Sequence, residues 1–127
     1  MGPIWDFNLA FGNVDYCDGA NTEGWLYNFN NICPGDVWQV PFWWSTLMDS
    51  QYFKEKLKTR WDFLRQDLFS NMSINNKINS YVIDLNSNDV INNNFKIWPI
   101  IGEYIWPNYY VGNSYESEID FMKNWID

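Results

Sequence analysis

The 127-residue chain carries a formal charge of −8, has no histidine, and is 20% aromatic, with nine Trp. The missing imidazole excludes a Ser-His-Asp or Cys-His pair, a His-type zinc site and an imidazole pH switch. Eight Lys and Arg against sixteen acids leave no basic surface to release counterions from phosphates, which argues against nucleic acid as a partner.

The length suits one domain with a hydrophobic core. No apolar run is long enough to cross a bilayer, and the N-terminus lacks the charged and apolar regions of a signal peptide. The aromatic side chains are expected to fill the core or to lie against a partner surface, and a fully solvated aromatic platform is disfavoured.

Taken in order, the chain begins with Gly2-Pro3-Ile4-Trp5-Asp6-Phe7-Asn8-Leu9-Ala10-Phe11-Gly12-Asn13, where Ile4-Trp5-Asp6-Phe7 reads as a short strand punctuated by Gly-Pro and Gly12. An ionised Asp6 among Trp5, Phe7 and Phe11 is costly unless it meets a cation or several donors. It is therefore a candidate metal ligand. Equally, its carboxylate could cap backbone N–H groups of a turn.

Residues 15–40 are rich in Gly, Asn and Asp, with Tyr16, Trp25, Tyr27, Phe29 and Trp38 scattered without period. They read as an irregular, aromatic-anchored loop region, of a length usually associated with binding or packing. Cys17 and Cys33 flank part of it. They would close a loop in a secreted protein and stay free thiols in a reducing compartment, with a slight lean toward a disulfide. Two cysteines cannot form a structural zinc site unaided.

Pro41 starts a short helix predicted over 41–48. Ser50 is an N-cap for a long helix from 51 to about 69, whose stripe of Phe53, Leu57, Trp61, Leu64 and Leu68 recurs at helical spacing. Core packing explains that stripe better than a cofactor site. Ser73 can cap a second long helix to about 98, weakened by its Asn clusters, with a break expected near Asn86-Ser87-Asn88 and an end at Pro99. Residues 100–113 read as an aromatic-packed connector. Ser114 then caps a last helix over 115–126, with Ile119, Met122, Trp125 and Ile126 inward and early acids complementing the dipole.

The run GPIWDFNLAFGN resembles the GPIWDFDLAFGN signature of the CotH family of atypical, protein-kinase-like proteins. Pro41-Phe42-Trp43, Arg60-Trp61-Asp62-Phe63-Leu64-Arg65, Asn94-Phe95-Lys96-Ile97-Trp98-Pro99, Tyr104-Ile105-Trp106-Pro107-Asn108, Val111-Gly112-Asn113-Ser114-Tyr115-Glu116 and Lys123-Asn124-Trp125 are similar to further landmarks in the family's order. The resemblance implies that this chain is the last part of a CotH domain. The nucleotide-binding lobe and the catalytic-loop Asp would precede it, and Met1 would mark a start inside a longer frame.

By that resemblance Asp6 takes the place of the kinase Asp that holds Mg²⁺ against nucleotide phosphates. Asn8 stands where the family usually has a second Asp, so it offers an amide oxygen without charge. Arg60 and Arg65 match the family's RWxxLR pattern, and a structural ion pair to Asp6's loop or the C-terminus is expected of them rather than catalysis.

The expected fold is mainly α: a short N-terminal β segment and aromatic-rich loops, then three main helices, resembling part of the C-terminal lobe of a protein-kinase-like fold. Residues 1–127 would form one partial domain, with 1–40 a metal-loop-like segment and irregular loops and 41–127 a helical subdomain. The implied function is that of a C-terminal fragment of an ATP- and Mg²⁺-dependent Ser/Thr kinase of surface or spore coat proteins, inactive in isolation. Asp6 and Asn8 would be its metal- and cofactor-binding residues, and it would hold no catalytic residue. Its partners would be the N-terminal lobe and a protein substrate or surface assembly, at a spore coat, a cell surface or outside the cell. The alternatives are an aromatic-rich binding module for carbohydrate or protein, and a structural assembly protein.

Overall fold

The computed structural model describes residues 9–127. They form six α-helices and no strand among the described residues: α1 (Phe29–Ile32), α2 (Trp43–Asp49), α3 (Gln51–Arg65), α4 (Asn71–Asn86), α5 (Val90–Ile97) and α6 (Tyr115–Ile126), with short 3₁₀ turns at Leu9–Phe11 and Leu26–Asn28. The expected N-terminal β segment falls outside the described residues. The chain divides into two compact units, Glu23–Ser73 and a second that joins residues up to Thr22 with Ile74–Asp127.

Within Glu23–Ser73, α2 packs on α3 and on the Leu26–Asn28 turn. Ser50 does two things at their junction. Its backbone N–H ends α2 on the Leu47 carbonyl at 3.1 Å, and its hydroxyl accepts from the Phe53 N–H at 3.3 Å to start α3. The N-cap reading of Ser50 holds because its extended backbone lets one residue serve both helices.

α3 is shorter than its apolar pattern predicts. It stops at Arg65, where Phe69 N–H reaches back to the Leu64 carbonyl at 2.8 Å and the Arg65 guanidinium donates to the Phe69 carbonyl at 2.6 Å. These bonds turn the chain before Leu68, which is left exposed. Ser70, not Ser73, then opens α4, its hydroxyl accepting from the Ser73 N–H at 3.2 Å.

In the other unit, the expected break appears where α4 ends at Asn86. Asp89 has φ +55°, a left-handed conformation that Asp tolerates better than most residues and that a continuous helix excludes. α6 opens with a reciprocal cap: the Ser114 hydroxyl accepts from Ser117 N–H at 3.1 Å, and the Ser117 hydroxyl accepts from Ser114 N–H at 3.2 Å. Ser114→Ala is expected to cost about 1 kcal/mol of stability in urea unfolding. Inward-facing Glu118 accepts from the Gly112 N–H at 2.6 Å, and Lys123 donates to Asn79 Oδ1 at 2.7 Å.

Expectation and structure part over the aromatic residues. Val14 is the one buried hydrophobic side chain among the described residues, whereas Trp38 is 83%, Phe42 82% and Trp106 70% exposed. The predicted stripe residues Phe53, Leu57, Leu64, Ile74, Ile78, Val82, Phe95, Ile119, Met122 and Trp125 are only half-buried. Amphipathic faces of short helices meet few neighbours in units this small, so periodicity marked the right faces without guaranteeing burial.

Candidate functional site

Asp6 and Asn8, the metal ligands expected from sequence, lie outside the described residues. The segment that follows them is held firmly, and each hold is long-range. Gly12 sits at φ +74° with its Cα so close to the Trp125 indole that a Cβ would overlap the ring. Trp125 Nε1–H donates to the Ala20 carbonyl at 3.0 Å. Asn13 Oδ1 accepts from Tyr110 N–H at 3.1 Å, and Asp15 N–H donates to the Pro107 carbonyl at 2.9 Å. In this way α6 and the connector before it tie down the segment from Gly12 to Ala20.

Asp15 also accepts from the Tyr104 hydroxyl. That hydrogen bond, with smaller contributions from desolvation and the carboxylate's charge, holds the Tyr104 hydroxyl above its ordinary pKa of 10.0. The neutral phenol is the form favoured by folding. Its contribution is therefore present below pH 10.0 and is lost as pH rises through the raised value. Asp15→Asn is expected to bring that ionisation back toward the ordinary range, read by ultraviolet titration of the native protein against Tyr104→Phe. Burial and the nearby Glu116 push the Tyr115 hydroxyl up as well.

Around these groups the first unit forms a polar cavity of about 380 Å³ lined by Val14, Asp15, Asp18, Asn21 and Tyr109, among others. Tyr16 and Trp106 stack beside it with ring centroids 6.0 Å apart and planes 13° from parallel. Sequence reasoning passed over Asp15, Asp18, Tyr104 and Tyr109. No local spacing could have joined them, because Tyr104 and Asp15 are 89 residues apart.

The unit Glu23–Ser73 holds a different cavity, about 250 Å³, walled by Trp25, Tyr27, Trp43, Trp44, Leu47, Phe53 and neighbours. Arg65 departs from the expected ion pair. Among the described residues it donates to the Phe69 carbonyl and to Asn71 Oδ1 and lies over the Trp61 ring, while Arg60 lies over Phe63. Neutral acceptors and a ring face satisfy the guanidinium where the local turn brings them closer than a carboxylate. The described ion pairs are Lys58–Asp62 and Lys96–Asp89, both exposed. Neither Cys17 nor Cys33 is a free thiol; both are disulfide-bonded. No described helix is long and apolar enough to cross a membrane.

These features define a mainly helical, acidic protein with an aromatic-rich surface and an N-terminal carboxylate-bearing loop whose downstream segment is clamped by its last helix. The sequence profile of the CotH kinase protein family matches residues 1–127. The chain belongs to that family. No curated protein and no solved structure matches it.

Proposed function

We propose that this chain is the C-terminal portion of a CotH-type atypical protein kinase, contributing Asp6 and Asn8 to a Mg²⁺–ATP site and acting on Ser or Thr of a spore coat or surface protein. The observation that carries this reading is the family match over residues 1–127, which includes the GPIWDFNLAFGN run. Family membership implies kinase-like use of nucleotide and metal for the full domain. The donor chemistry fits, since a carboxylate and an amide oxygen are both hard ligands suited to Mg²⁺. When bound, such an ion would neutralise charge on nucleotide phosphates. Asp6 would hold it, and Asn8 would add a neutral donor.

The exposed aromatic residues support the idea that the chain completes a larger surface, because patches of this kind mark interaction sites. With the catalytic-loop Asp expected on another part of the domain, the 127 residues alone should not transfer phosphate. An assay with radiolabelled ATP, Mg²⁺ and a Ser-containing protein acceptor tests this. Turnover by the isolated chain would overturn the proposal that essential groups lie elsewhere.

A second reading, a binding module for carbohydrate or protein, is favoured by one observation: Trp25, Trp38, Trp43 and Trp106 are all exposed. Exposed indoles suit sugar faces and partner surfaces alike.

A further inference from the structure

Of the two cavities, one has the chemistry of a sugar site. The apolar cavity in Glu23–Ser73 is walled almost wholly by carbon, so it offers a hydroxylated ligand little to bond with. The cavity in the other unit combines Asp15, Asp18, Asn21 and Tyr109. A pyranose presents two kinds of surface, a rim of hydroxyl donors and a flatter C–H face. Carboxylate and amide oxygens accept from the first, and aromatic rings stack on the second.

Both requirements meet at one junction. Asp15 lines the cavity and is bonded through its N–H to the Pro107 carbonyl, while the adjoining residues Tyr16 and Trp106 stack nearly parallel. Trp106 leaves 70% of its surface open, Tyr109 61%. Tyr104 fixes the Asp15 carboxylate by hydrogen bonding, so that acceptor is oriented before any ligand arrives. Charge narrows the class further. Lys77, Lys96 and Lys123 are the basic residues of this unit, and none lines the cavity, so an anionic glycan would be repelled.

We infer that this cavity, with the Tyr16–Trp106 pair at its margin, binds a neutral oligosaccharide. The inference rests on the binding-module reading and is independent of the kinase reading. Trp106 supplies the stacking face, and Asp15 and Asp18 accept hydroxyl hydrogen bonds.

Calorimetric titration of the full chain with cellopentaose, xylopentaose and chitopentaose tests it, with pentagalacturonate as the anionic counterpart. Saturable binding of at least one neutral sugar and none of pentagalacturonate is expected. Trp106→Ala and Asp18→Asn should each weaken binding by about tenfold or more, with Trp25→Ala in the other unit unchanged. Trp106→Phe, which keeps a ring, should retain part of the affinity and guards against a folding defect in the alanine variant. If Trp106→Ala and Asp18→Asn bind as the native chain does while Trp25→Ala fails, this site is overturned and the binding-module reading stands. If no neutral sugar binds, the saccharide inference falls, and capture of a protein partner through the same indoles would be what keeps the module reading.

Discussion

Gly12→Ala should destabilise the unit containing α6 by about 3 kcal/mol or more, one of the largest effects of any single substitution in the chain. Two costs combine. An L side chain at φ +74° pays about 1–2 kcal/mol for the left-handed backbone. The added methyl would also overlap the Trp125 indole, which is anchored by its bond to the Ala20 carbonyl and cannot swing away freely. Overpacking of this kind adds about 1–3 kcal/mol.

Gly102 supplies the control, because it has φ +83° in the same unit and an added methyl there would meet nothing within 4 Å. Gly102→Ala should cost only the backbone share. Chemical unfolding followed by circular dichroism would compare the two, and equal losses would show that the indole contact contributes nothing. Trp125→Phe combined with Gly12→Ala should recover part of the loss, since the smaller ring makes room.

The second large effect concerns the proposed metal ligands, measured in a protein that joins this chain to the rest of its CotH domain. Asp6→Asn removes the only charged donor of the pair and should weaken Mg²⁺ binding by about a hundredfold. Asn8→Asp does the reverse. A second carboxylate two residues on raises the negative charge offered to a hard cation, and an increase of about tenfold in Mg²⁺ affinity is expected. Calorimetry with Mg²⁺ and a non-hydrolysable ATP analogue reads both. Native-like affinity in Asp6→Asn would remove Asp6 from the site; indistinguishable affinities for Asn8 and Asn8→Asp would mean that the charge at that position is immaterial.

Much of the helical content was legible in the sequence because helices are encoded locally. The Ser50 and Ser114 caps and the break after Asn86 follow from side chains within a few residues of the backbone they satisfy. The end of α3 was harder. Leu68 continues the apolar spacing, yet Arg65 and the Leu64 carbonyl capture Phe69 and turn the chain first. The short helix α1, within a segment read as loop, lay below what periodicity can detect, since four residues complete little more than one turn.

By itself, the sequence determined the mainly helical class, the family to which the chain belongs and the absence of imidazole chemistry, since each rests on residue identity and near-neighbour order. The tertiary structure alone decided that the indoles lie largely open, that Trp125 closes on Gly12, and that Asp15 meets Tyr104 across 89 residues. Such contacts depend on how distant segments pack, and hydrophobic periodicity carries no record of which neighbour, if any, will cover a given face.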